Sequence, residues 1–216
     1  MGHDRPSLDK LSLNQITTEN WSLPEAINGC VKADIPWISV WRHKIEDIGL
    51  KESKRLIKDA GLKVSSLCRG GMFPGKTAKE RQKNLDDNRR AVEEAAELGT
   101  DVLVLVCGAP VDKNIDQARQ WVEEGIEQLV PFARSHGVKL GIEPLHPMYA
   151  ADRSVVVTLG QANRMAEKYT ADEVGVIVDV FHVWWDPDLH QQIERAKNRI
   201  LGFHVSDWIV PVPDMF

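Results

Sequence analysis

The sequence predicts an α/β fold of the (β/α)8-barrel class, truncated before strand eight. Three observations lead there. Short apolar segments alternate with longer amphipathic ones, the pattern of strands joined by crossover helices. Polar residues lie at the C-terminal ends of many of those strands, whereas an open doubly wound sheet concentrates them at one reversal point. No G-x-G-x-x-G follows the first strand, where a dinucleotide-binding fold needs close backbone approach to a pyrophosphate.

Leu11 to Ile16 (LSLNQI) reads as the first strand. Ser22 then N-caps a helix, with Pro24 early in it and Glu25 at the reciprocal capping position. Trp37 to Trp41 (WISVW) is a second strand, followed by a helix from Gly49 to Ala60 that Gly61 stops. Leu62 to Cys68 is a third strand, and the loop RGGMFPGK leads into a long helix from Ala78 to Leu98, closed by Gly99. Val102 to Cys107 (VLVLVC) is apolar throughout, as a strand covered on both faces must be. A helix over Ile115 to Ser135, a strand over Val138 to Glu143 and a helix over Val156 to Tyr169 follow. A strand over Val174 to Val180, a helix over Leu189 to Asn198 and a strand over Leu201 to Val205 bring the count to seven. A complete barrel takes about 250 residues. This chain has 216 and ends at DWIVPVPDMF, so the expectation is one barrel domain over 1–216 lacking its C-terminal part.

Composition excludes several classes. With 43% hydrophobic residues and no polar low-complexity run, the chain can bury a core and is not a disordered segment. A net charge of -5 disfavours a broad phosphate-binding surface, so no nucleic-acid partner is expected. Cys30, Cys68 and Cys107 are widely spaced and odd in number, which argues against a disulfide framework or a zinc finger. The opening MGHDRPSLDKLSLN lacks the apolar core of a secretory signal, and no eighteen-residue apolar run follows. A cytoplasmic protein without membrane contact is the expectation. No G-x-S-x-G elbow, P-loop or HExxH occurs.

Glu143, Asp179 and His204 each end a strand, in phase with Gly141, Ile177 and Gly202 two positions earlier. Taken singly, each reads as a loop-facing polar group. In a barrel the three point inward at one end and converge two carboxylates and an imidazole. Such carboxylates repel unless a cation sits between them, and this donor set suits divalent Mn, Co, Zn or Mg. His182 and His146, each three residues beyond a carboxylate, are candidates for a fourth ligand, a ligand-orienting partner or a substrate contact. Trp41 and Arg69 close the second and third strands. The indole can stack on a sugar face, and the guanidinium can hold a hydroxyl, carboxylate or phosphate. The alternatives are a tryptophan of the core and, for Arg69 and for Arg42 beside Trp41, arginines paired with surface acids. Trp184 and Trp185 cannot both face one core, so one of them, Trp185, is read as lining the pocket. Cys107 reads as a buried small residue, not a nucleophile.

The segments IEPLHP (142–147), VDVFHVWWD (178–186) and GFHVSDW (202–208) resemble the xylose isomerase-like barrel superfamily of sugar phosphate isomerases and epimerases. That resemblance implies Glu143, Asp179 and His204 as metal ligands and His182 as a substrate-binding residue. It also implies a second metal-bound glutamate on strand eight, for which the chain has no position. In the epimerase branch the two glutamates form an acid/base pair across the substrate, removing and returning the proton α to the carbonyl. The resemblance therefore implies a metal-dependent ketose isomerase or epimerase with Glu143 as its remaining acid/base, and a small-molecule sugar as its partner. An inosose-type dehydratase, a non-catalytic sugar-binding barrel and a nuclease like endonuclease IV are the alternatives. The last is disfavoured, because His146, His182 and His204 do not fill its histidine-rich three-zinc set. An unclosed barrel exposes the edges of its first and seventh strands, so homo-oligomerisation is expected of a chain ending there.

Overall fold

A computed structural model describes residues 7–208. It contains seven strands: β1 (Ser12–Asn14), β2 (Trp37–Trp41), β3 (Lys63–Gly71), β4 (Val102–Val106), β5 (Lys139–Ile142), β6 (Val174–Asp179) and β7 (Ile200–His204). They pair in chain order, and every pair is parallel. Residues from the ends of both edge strands line one cleft, Asn14 and Ile16 on one side and His204 and Ser206 on the other. The sheet therefore curls into a nearly closed α/β barrel, and β1 and β7 do not pair with each other among the described residues. The expectation that the chain ends before an eighth strand falls on residues 209–216, outside the described ones.

Helices α1 (Leu23–Lys32), α3 (Leu50–Asp59), α4 (Ala78–Leu98), α5 (Ile115–Ser135), α6 (Leu159–Ala166) and α8 (Leu189–Ala196) connect the strands. Their start signals operate as read. Ser22 accepts from the Glu25 N–H while Glu25 accepts from the Ser22 N–H, closing the expected box on α1. Gly99 ends α4 in the left-handed region at φ 81°. No helix among the described residues is long and apolar enough to cross a membrane.

Several boundaries differ from the reading. β1 is shorter, because Gln15–Thr18 turns into a 3-10 helix capped by Asn14. α6 begins at Leu159 instead of Val156, where Thr158 caps it. Two short helices, α2 (Arg42–Glu46) and α7 (Val180–Val183), occupy stretches read as loop and strand end. β3 runs on through Arg69 to Gly71, because buried Asn88 of α4 supplies the hydrogen bonds that hold that end. Its Oδ1 accepts from the Gly71 N–H at 2.5 Å and its Nδ2 donates to the Gly71 carbonyl at 2.7 Å.

The alternation of the strands separates two cores. Outward residues such as Leu103, Leu105, Leu140, Ile142, Val176 and Val178 pack under the helices. Inward residues Cys68, Val102, Val104 and Ile177 fill the barrel with Trp41 and Leu201. Ile177 is fully buried, which stabilises by roughly 1.5–3 kcal/mol. The room it fills is left by glycines on both neighbouring strands: a Cβ on Gly141 would meet it at 2.8 Å, and one on Gly202 at 3.1 Å. Gly141, Ile177 and Gly202 thus form one interior layer. The residues two positions on from each form the next.

Candidate metal centre

That next layer is Glu143, Asp179 and His204. Glu143 follows β5 and is 8% exposed; its N–H donates to the Leu105 carbonyl of β4 at 3.1 Å. Asp179 ends β6 in register with His204 on β7, and its Oδ1 caps α7 by accepting from the Phe181 N–H at 2.8 Å. One ligand atom from each of the three lies within 4.8 Å of the others. The phase expected from the sequence therefore does bring them together. Two carboxylates and one imidazole at these separations fit a divalent cation by chemistry and by spacing.

His204 Nδ1 lies 2.9 Å from Glu143 Oε1 and 3.7 Å from Asp179 Oδ2. The first is a hydrogen bond; the second is only an ion-pair distance. Burial alone would disfavour a charged imidazole here. The close approach and negative charges of Asp179 and Glu143 override it and push His204 up to about 10. In the metal-free protein an imidazolium proton therefore occupies the place of a cation.

The cleft above these residues has a volume of about 230 Å³. Trp41, Arg69 and His182 line it, as expected from the sequence. Trp41 is anchored by its Nε1–H, which donates to Asn14 Oδ1 at 2.7 Å. His182 accepts from the His146 N–H through Nδ1 at 3.2 Å. Its Nε2 must then carry the hydrogen of a neutral ring. Burial, the largest influence, lowers the His182 pKa and favours that neutral form, although Glu143 and Asp179 pull the other way.

Other expected residues lie elsewhere. His146 and Trp185 do not line this cleft. His146 sits among the rings of Trp208, Trp185 and Trp184 at 5.2, 5.8 and 6.2 Å, and its contribution to the site is the backbone N–H held by His182. Trp185 turns its Nε1–H onto the His182 carbonyl at 2.9 Å, so it supports the ring that faces the cleft. Trp184 is 56% exposed. Arg42 points away, into a pair with Asp87 and Glu94 of α4. Cys68 and Cys107 are buried thiols that burial, aided by Glu143, pushes up to about 12, which removes both as nucleophiles.

Tyr149 and Arg153 also line the cleft, and sequence reasoning missed them. They lie in the long connection after β5. That segment folds back because the Gly108 N–H donates to the Arg153 carbonyl at 3.0 Å and the Val155 N–H to the Gly108 carbonyl at 2.9 Å. The Arg153 guanidinium lies over the Tyr149 ring at 4.4 Å. The one sequence signal was a tyrosine and an arginine close after the EPLHP turn.

Comparison with known proteins agrees with this fold. The protein SMc04130 of Sinorhizobium meliloti 1021 is 52% identical, with a TM-score of 0.92 over 97% of this chain and 78% of that one. The inosose isomerase of Halalkalibacterium halodurans is 24% identical over 207 residues, spanning 92% of this chain and 72% of the relative. The IOLI protein, solved with a bound zinc atom, has the same fold, with a TM-score of 0.79 at 20% identity over 95% of this chain and 76% of that one. The family profile described as xylose isomerase-like TIM barrel matches residues 30–215, and the chain belongs to that family.

Proposed function

We propose that the chain is a divalent-metal-dependent isomerase or epimerase of a ketose or related sugar, with Glu143 as the group that moves the proton α to the carbonyl. The observation that carries this reading is the convergence of Glu143, Asp179 and His204 beneath a cleft of monosaccharide size. These three would hold the ion, and a bound ion would supply Lewis-acid polarisation of the substrate carbonyl. His204 would serve as a neutral ligand, so loading the site expels its proton. Glu143 is then a carboxylate in a nearly water-free position, suited to take a proton from carbon. The Nε2–H of His182 donates to a substrate hydroxyl, and the face of Trp41 covers the apolar side of the ring.

The names of two relatives support the reading. One is an inosose isomerase, so a cyclic ketose belongs in the first substrate panel, and the other holds zinc. The test is proton exchange in heavy water. Metal-loaded protein is incubated with fructose, psicose and an inosose, and deuterium at the carbon next to the carbonyl is read by NMR. Exchange that Glu143→Gln abolishes supports the proposal, and loss of water from the inosose would assign a dehydratase instead. Metal-loaded protein that exchanges none of them, nor the anionic ketoses 5-ketogluconate and fructose 6-phosphate, contradicts it.

A further inference from the structure

Arg69 is a half-buried arginine with no partner among the described residues. It lines the cleft from β3, yet its guanidinium makes no ion pair and no hydrogen bond among the described residues. The other arginines near the barrel are engaged. Arg42 holds Asp87 and Glu94, Arg199 donates to the carbonyls of Ala166, Tyr169 and Val174, and Arg153 covers Tyr149 beside Asp152. A positive charge taken partly out of water without a counter-charge is unfavourable, and a ligand that brings one removes the penalty.

The position of Arg69 is rigidly built. The next two residues are glycines with no room for a side chain: a Cβ on Gly70 would lie 2.8 Å from Asn88 Oδ1, and one on Gly71 would lie 2.0 Å from the Val106 carbonyl oxygen. Asn88 clamps the Gly71 backbone from both sides. The arginine is therefore carried on a fixed strand end rather than on a mobile loop.

Charge decides what it receives. On the proposed reading, a divalent ion balances the two carboxylates of Glu143 and Asp179. The walls then keep a positive guanidinium with nothing opposite it. We infer that Arg69 receives an oxyanion of the substrate, a carboxylate or a phosphate, and that the substrate class is an acidic sugar derivative. The fork of a guanidinium matches either group with two parallel hydrogen bonds.

The experiment compares fructose, 5-ketogluconate and fructose 6-phosphate as probes. Binding is read by calorimetry on wild type, Arg69→Gln, Arg69→Lys and Arg153→Gln, with and without manganese, and metal content is determined on every sample. The expected result is that one of the two anions binds wild type at least about tenfold more tightly than fructose, as charged hydrogen bonds of this kind provide. Arg69→Gln should erase that preference, the anion losing at least about tenfold more affinity than fructose does. Arg69→Lys, which keeps the charge and guards against a folding artefact, should retain part of it, and Arg153→Gln most of it. Whichever anion is preferred identifies the group. An anion-to-neutral ratio unchanged in Arg69→Gln overturns the inference, with or without metal. Failure to take up manganese instead counts against the metal reading, and the ratio is then read on the metal-free cleft.

Discussion

His204 Nδ1 stands 2.9 Å from Glu143 Oε1, although 61 positions separate the two residues in the chain. In the absence of metal this contact is a charged pair, because the carboxylates hold the imidazole up to about 10 against the effect of burial. A group whose folded pKa is raised gives stability that is complete below its ordinary pKa of about 6.5. That stability is lost as pH rises through about 10. Metal affinity runs the other way, since the ion must displace the His204 proton. Manganese affinity should therefore rise about tenfold per pH unit between about pH 6.5 and 8.5. Calorimetric titration across that range measures it, and a flat profile contradicts the pairing.

Asn88 should be more important to stability than its place on a charged helix suggests. Its amide satisfies both backbone groups of Gly71 and also donates to the Asn84 carbonyl at 2.9 Å. Asn88→Ala leaves a buried N–H without a partner and should lower stability by about 2–4 kcal/mol, read from the denaturant midpoint. A loss under about 1 kcal/mol would mean that the strand end does not depend on this clamp.

Arg42 is a contrasting case. Its guanidinium lies between α2 and α4 with Asp87 at 2.8 Å and Glu94 at 2.5 Å, and its side chain is 17% exposed. Arg42→Ala strands two partly buried carboxylates and should destabilise by about 1–3 kcal/mol while leaving metal stoichiometry intact. Thermal melts beside elemental analysis check both halves. Metal loss from the folded variant would return Arg42 to the site.

Much of the fold was legible because its signals are local. β4 is apolar at every position, and Ser22 with Glu25 or a glycine at 99 marks a helix end within a few residues. The three convergent side chains were legible for a related reason: period two along each strand fixes the face, and barrel closure brings the faces together. The short helices α2 and α7 span five and four residues, too few for a 3.6-residue period to register. Arg69 was read at the strand end that borders the cleft, but its lack of a partner among the described residues is a property of three-dimensional neighbours. Tyr149 and Arg153 reach the cleft only through the Gly108 contacts to Arg153 and Val155, and no spacing rule announces those. His146 was misplaced because its motif position says nothing about the three tryptophans that surround its ring.

Phe203 on the outer face of β7 and Val205 just after it are 64% and 79% exposed, beside a strand edge that is unpaired among the described residues. Exposed apolar residues on a free edge favour self-association. Sedimentation of the 216-residue chain should show concentration-dependent oligomers, and Phe203→Lys should shift them towards monomer. A monomer at all concentrations would contradict this expectation.

The central claim is that Glu143, Asp179 and His204 form a metal site. Elemental analysis of purified wild type beside Asp179→Ala, both dialysed after loading with manganese, tests it most directly. The account predicts close to one divalent ion per chain in wild type and a loss of most of it in the folded variant. Equal metal content in the two proteins, or none in wild type, would contradict it.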